Sequence, residues 1–190
     1  MRSRNVVIRL FPLRHLPFIE GHFPRILLLV RVNQMTTGNF ISEDLLRLEQ
    51  AIRFPAFDNL IAIAIGELST KIGIERKLPI AIEIRIGDWT VFKAALPGSK
   101  PENDGWINRK ARVVNLKKNS TMYERVRAEE LGIDWHKENG VADETHAIHG
   151  GGIPIFTSDS QFQGVLVISG LPQVEDHLLG LEILRTFLER

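Results

Sequence analysis

The chain has 190 residues, 44% hydrophobic and 25% charged, an ordinary composition for a soluble globular protein long enough to bury a core. A net charge of +1 argues against bulk electrostatic binding to nucleic acid. The absence of cysteine excludes disulfides, thiolate catalysis and cysteine-ligated metal, and is compatible with a reducing, cytoplasmic compartment.

Charge is unevenly spread. Residues 1–34 carry six arginines and one acid, Glu20, a net of +5; the remainder holds 18 basic and 22 acidic side chains, a net of −4. The apolar run Ile26–Val30 is far too short to span a membrane or to serve as a signal segment, so no membrane partner is expected. Pro12, Pro17 and Pro24 spoil the amphipathic helix that a transit peptide needs. The expectation is an Arg-rich leader, 1–41, outside the core, and one domain over 42–190.

Ser42 followed by Glu43 and Asp44 reads as an N-cap with acids in the first turn, opening a helix to about Arg53. Phe54-Pro55 ends it. Asp58 caps a second helix, in which Ile61, Ile65, Leu68 and Ile72 form one apolar stripe. Ile80, Ile82, Ile84 and Ile86 then alternate with Ala81, Glu83 and Arg85, the period of a half-buried strand. Gly87-Asp88 turns the chain into a partner strand, Trp89–Ala95. Pro101 with Glu102 and Asp104 starts a helix to about Lys118. Thr121 and Glu124 have capping-box spacing for a further helix to about Leu131, followed by a polar stretch over 132–150. Ile153–Thr157 and Gly164–Ser169 form a second strand pair. Pro172, Glu175 and Asp176 open a last helix with a buried stripe of Val174, Leu178, Leu181 and Leu188. The order helix-helix-hairpin-helix-helix-hairpin-helix gives an α+β domain: a central antiparallel sheet with helices packed on it.

Three segments carry chemistry-bearing residues. In 95–110 a Pro-Gly turn feeds a helix start, and Trp106, Arg109 and Lys110 share one side of that helix, with Asn103 in its first turn. These residues suit a flat, acidic ligand, or simply a capped helix with a packed Trp and solvated cations. In "HAIHGGGIPIF", 146–156, an oxyanion loop is excluded because no G-x-S-x-G elbow accompanies it. His146 and His149 lack the framework of a metal site, so no metal is assigned. Gly150, Gly151 and Gly152 let the backbone pass close to a ligand or a neighbouring strand, or form only a turn. In "SGLPQVEDH", 169–177, Glu175 and Asp176 offset a helix dipole and His177 borders the core, or His177 acts beside a carboxylate as a base or axial ligand.

Together "FKAALPGSKPENDGWINRK", "HGGGIPI" and "SGLPQVEDH" resemble an uncharacterised branch of the haem-degrading-domain superfamily, which contains the HbpS-like, GlcG-like and PduO C-terminal-like proteins. The resemblance covers about residues 43–190. It rests on Leu96, Pro97, Gly98, Asn103, Trp106, Arg109 and Lys110, on His149, Gly150, Gly151 and Pro154, and on Ser169, Gly170, Leu171, Pro172, Glu175, Asp176 and His177. It implies an α+β sandwich, a homo-oligomer, and haem or corrinoid as the ligand class. Lys93 departs from the pattern, where branch members commonly have His.

The leading expectation is therefore an oligomeric binding protein for a planar, anionic tetrapyrrole-like ligand. Its candidate binding residues are Asn103, Trp106, Arg109, Lys110, His149, Gly150, Gly151, Glu175, Asp176 and His177, with Arg109 and Lys110 meeting carboxylates and His149 or His177 approaching the metal centre. The alternative is a non-enzymatic assembly or adaptor protein, in which the same Trp, Arg and helix starts build an interface. An enzyme using Asp176 and His177 as an acid–base pair is the third reading.

Overall fold

The computed structural model describes residues 35–190. The expectation for the Arg-rich stretch up to residue 34 lies outside these residues. A single 3-10 turn, Thr37–Asn39, precedes α1 (Ser42–Gln50) and α2 (Asn59–Glu75), and the hairpin β1 (Ala81–Ile86) and β2 (Trp89–Ala95) follows. Then come α3 (Glu102–Lys117), α4 (Thr121–Leu131) and a short α5 (Trp135–Asn139). A second hairpin, β3 (Gly152–Phe156) and β4 (Phe162–Ser169), leads into α6 (Gln173–Leu188).

The four strands form one antiparallel sheet in the order β2-β1-β4-β3, so each hairpin supplies an edge strand and a central strand. The α+β architecture with helices on a central antiparallel sheet is as the sequence implied. On one face Ile82 and Ile84 of β1 and Leu166 and Ile168 of β4 pack with Ile65, Leu68 and Ile72 of α2 and with Leu179, Ile183 and Leu184 of α6. On the other, Ala81, Val165 and Val167 meet Ile107, Ala111 and Val114 of α3. Outside that layer, α1 and α4 join through Leu45, Met122 and Val126. Among the described residues no helix is long and apolar enough to cross a membrane.

Several local expectations need correction. The first β-strand is not half-buried: Ala81, Ile82, Glu83 and Ile84 are all buried, because helices cover both faces of this central strand. Its polar-looking side is tolerated because Glu83 is paired. It accepts from Thr90 Oγ1 at 3.0 Å and from Arg85, and Lys93 Nζ lies 3.7 Å away. Lys93 also reaches Asp104 at 2.7 Å, so the departure at this position is filled by an ion-pair network.

Asp58 caps α2 as expected, accepting from the Ile61 amide. Ser42 does not cap α1; Ile41 holds that position, and the Ser42 hydroxyl and amide are both taken by the Glu130 carboxylate of α4. The helix ends at Gln50, before Arg53. Ser120, one residue earlier than Thr121, caps α4 by accepting from the Tyr123 amide at 3.0 Å. The polar stretch contains α5, capped by Asp134 and anchored by the buried Trp135.

The stripe read for α6 is rotated. Leu178 is 47% exposed and Leu188 is 36% exposed, whereas His177, Leu181 and Leu184 face inward with Asp176, Leu179 and Ile183. Two polar residues occupy inward positions on this helix, which is why a pattern built on apolar side chains alone misses its buried side.

Candidate functional site

The starts of α3 and α6, the end of β4 and the glycine run before β3 converge on one cleft of about 270 Å³. Its lining includes Asn103, Trp106 and Lys110 from α3, His149 ahead of the glycines, and Gln173 and Asp176 from α6. Ser169, Gly170 and Leu171 complete it. All three segments singled out in the sequence therefore meet within one chain.

Asn103 fixes the entrance of α3. Its side-chain oxygen accepts from the Lys100 amide at 2.7 Å, and its amide nitrogen donates to Ser169 Oγ at 3.2 Å, tying the helix start to the end of β4. One turn on, Trp106 forms the cleft wall. The Arg109 guanidinium lies 4.5 Å from its ring centre, and the His149 ring meets it edge-on with centres 4.8 Å apart. Arg109 is anchored in turn: its Nε donates to the Asp143 carbonyl at 2.7 Å, and a terminal nitrogen reaches the Asp143 carboxylate at 2.9 Å.

Lys110 is not at the mouth with Arg109. Its ammonium is buried, donating to the Ile168 carbonyl at 2.8 Å and to Asp176 Oδ2 at 2.9 Å. The other oxygen of Asp176 accepts from the Leu171 amide at 3.0 Å. Burial pushes the Asp176 carboxyl up while Lys110 and the amides pull it back; burial pushes the Lys110 ammonium down while Asp176 pulls it up. Each partner thus offsets part of the burial penalty on the other, and the pair ties β4, α3 and α6 at the cleft floor.

The glycines before β3 are required by close approach. A Cβ on Gly150 would lie 2.2 Å from the Gln173 carbonyl oxygen. Gly151 has a φ of +114°, and a Cβ there would lie 2.4 Å from the Ile168 oxygen and 2.8 Å from Lys110 Nζ. The run is the seam where the β3 entrance passes between β4 and α6. Its Gly152 amide donates to Thr121 Oγ1 at 3.0 Å.

His149 is half-buried, and its Nδ1 is buried with no hydrogen-bond partner among the described residues. Burial, helped by the Arg125 and Lys110 charges, lowers its pKa, so the imidazole is neutral at pH 7. His146 instead bonds Thr145 Oγ1 at 2.9 Å.

Two expectations at α6 change. Glu175 is exposed and lies outside the cleft. His177 is fully buried, with the Phe40 ring edge-on at 6.2 Å, so it cannot reach a ligand in the cleft as an axial partner. Nor does it pair with Asp176, which turns toward Lys110. The carboxyl near its Nε2 is that of Glu49, 3.7 Å away.

The sequence reading does not single out Glu49, Ser120 or Trp135, and it takes Glu124 only as a capping-box acid. Ser120 Oγ donates to Glu49 at 2.6 Å, and the Trp135 indole donates to Glu124 at 2.7 Å. One signal was present: Leu45, Glu49 and Ile52 share the spacing i, i+4, i+7, which places a carboxyl on the apolar stripe of α1.

The sequence model described as haem degrading protein HbpS-like matches residues 57–185, which includes all three cleft segments. The chain belongs to the HbpS-like family. A UPF0303 protein of Streptomyces avermitilis is 39% identical over 142 residues, spanning 75% of this chain and 87% of that protein. Among solved structures, the Ybr137w protein superposes with a TM-score of 0.75 at 26% identity, over 81% of this chain and 91% of its own. The PduOC:haem complex shares the HbpS-like fold with a TM-score of 0.56 at 16% identity, over 70% and 94% of the two chains. The range matched by that model begins after Glu49 and does not include α1.

Proposed function

We propose that this HbpS-like protein is a homo-oligomeric binding protein whose cleft takes one edge of a planar, carboxylate-bearing tetrapyrrole, haem or a corrinoid. The observation that carries the reading is the cleft wall itself. There a neutral imidazole, His149, stands beside the Trp106–Arg109 stack, with a buried Nδ1 that has no hydrogen-bond partner among the described residues. A neutral imidazole is the form that ligates iron or cobalt. The fold it shares with the PduOC:haem complex supports the same ligand class.

The cleft sets limits on the fit. At about 270 Å³ it falls below the roughly 300–1,000 Å³ of pockets that enclose a small molecule, so a macrocycle enters by one edge and its outer face is left for a second copy of the chain to cover. Lys110 is held by Asp176 and Arg109 is braced by Asp143, so a carboxylate at the rim would meet only the part of the Arg109 guanidinium that Asp143 leaves free. Bound haem would supply metal-centred ligand exchange and redox chemistry. The chain's own residues would orient it, Trp106, with Arg109 stacked on it, forming the wall and Asn103 and Ser169 offering hydrogen bonds.

The test is a haem titration followed by absorbance, with light scattering on the same samples. The expected result is a saturable Soret shift in an oligomer, weakened at least about tenfold in His149→Ala, since tenfold corresponds to only about 1.4 kcal/mol. No saturable shift in the wild type overturns the reading. A stable oligomer without a shift would favour the assembly role, with the same residues at an interface.

A further inference from the structure

Two of the buried titratable groups outside the cleft face each other. His177 of α6 is fully buried, and neither ring nitrogen has a hydrogen-bond partner among the described residues. Buried polar atoms left unpaired are rare and call for a specific explanation. The Glu49 carboxyl of α1 stands 3.7 Å from His177 Nε2, one small side-chain adjustment from a hydrogen bond. The Ser120 hydroxyl donates to the same carboxyl oxygen at 2.6 Å.

The surroundings isolate the pair. From α4, Glu124 faces Glu49, but its oxygens are taken by Trp135 and Asn119, each at 2.7 Å. The charges of both carboxyls act on Tyr123 of the same helix. From α3, the Lys110 charge acts on His177, while Asp176 is turned to Lys110. Phe40 closes over the imidazole. On its outer side Glu49 lines a second recess of about 70 Å³ with Arg53, Lys118 and Asn119. Both cations there are committed to carbonyls, Arg53 to Glu49 O at 3.1 Å and Lys118 to Asn115 O at 2.6 Å. The recess is therefore a solvent entrance to the carboxyl and carries no spare anion-binding apparatus.

We propose that Glu49 and His177 form a buried acid–base dyad that takes up one proton from solvent through the Arg53 recess, independently of the ligand cleft. When Glu49 is protonated, its O–H donates to the lone pair of His177 Nε2. When that proton leaves to solvent, the imidazole takes up a proton at Nε2 and gives one up to solvent from Nδ1, so the carboxylate accepts from Nε2–H and the ring has changed tautomer without becoming charged. Burial supports this order of events, pushing the Glu49 carboxyl up to about 7 and the His177 imidazole down to about 4. The uptake of a single proton near neutral pH is thus recorded as a tautomer change in the core, under the helix that leads from the cleft.

The tautomer gives the test a signature that a packing role does not have. The full chain is labelled with nitrogen-15, and its imidazole nitrogens are followed by long-range proton–nitrogen NMR from about pH 5 to 9. The His177 signals are assigned by their loss in His177→Gln. The expected result is that Nε2 moves from the acceptor range to the N–H range as pH rises past about 7, with Nδ1 moving the opposite way. In Glu49→Gln this step disappears. Should that variant fold poorly, Ser120→Ala provides the second check: removing the hydroxyl that stabilises the carboxylate raises the midpoint. His177 signals that stay constant in the wild type overturn the proposal, as does an unchanged step in Glu49→Gln or an unmoved midpoint in Ser120→Ala. The readout needs no cleft ligand, so it can fail or succeed whatever the haem titration shows.

Discussion

Replacing Lys110 with Met removes the cation at the cleft floor while keeping most of its apolar stem. Lys110 and Asp176 are each 2% exposed, so water cannot stand in for the lost partner. Asp176 is left with its backbone donors, including the Leu171 amide, and the Ile168 carbonyl loses the Lys110 donor. Breaking a buried pair from one side costs about 3–5 kcal/mol, a large part of the roughly 5–15 kcal/mol that holds a domain folded. The cost depends on pH. Without Lys110 nothing cationic offsets burial at Asp176, so its folded pKa moves further above the unfolded value. A group raised in this way contributes stability in acid that is lost as pH rises through its folded pKa, so the deficit grows toward neutral pH. Urea denaturation followed by tryptophan emission, at acid and neutral pH, measures this. The double variant Lys110→Met with Asp176→Leu removes the orphaned carboxyl and should recover at least half of the loss. A single variant within about 1 kcal/mol of the wild type at pH 7 would refute the reasoning, as would a double variant no better than the single.

Stability against pH tests the second buried pair. The Glu49 carboxyl rises from 4.5 to about 7, so its contribution is lost as pH rises across that interval; His177 falls from 6.5 to about 4, so its contribution is lost as pH falls. Each interval is worth about 3 kcal/mol, and the two slopes oppose each other. Glu49→Gln should unmask the histidine, giving stability that climbs from about pH 4 to 6.5 in denaturant titrations; a flat or falling profile rejects the assignment. At the β3 entrance, Gly151→Ala forces a Cβ against the Ile168 oxygen at a φ of +114°. A Tm lowered by about 4 °C or more is expected, from at least about 2 kcal/mol of strain. Gly105→Ala in α3 meets nothing within 4 Å and should raise Tm slightly, because alanine is the better helix former. Equal effects at both glycines would show that close approach is not what selects Gly151.

The fold was readable because its elements announce themselves locally. Asp58 caps α2, Gly87-Asp88 turns the first hairpin, and Pro101 and Pro172 mark the starts of α3 and α6. The cleft was readable as three segments, since Asn103, Trp106, His149 and Asp176 each sit at a helix start or beside glycines. What each side chain does there was not. Lys110 and Arg109 are neighbours with the same charge, and only the packing of α6 decides that one is buried against Asp176 while the other stacks on Trp106. His177 looked like a partner for Asp176 because they are adjacent, yet consecutive helical residues point about 100° apart and meet different elements. Glu49 lay outside every motif, and its role depends on Ser120, a contact between residues 71 apart in sequence.

The three tryptophans stand in three unlike places, which makes the chain its own optical instrument. Trp89, at the hairpin, is 63% exposed; Trp135 is buried with its indole bonded to Glu124; Trp106 is stacked between a guanidinium and an imidazole at the cleft. Their emission is therefore a sum of a solvent-quenched red component, a shielded blue one and a third damped by its neighbours. A soluble quencher reaches the hairpin first, a colourless guest in the cleft meets Trp106, which lines it, and loosening of the α4–α5 layer uncovers Trp135. Ligand entry, edge exposure and partial unfolding can thus be told apart by colour in an unlabelled sample.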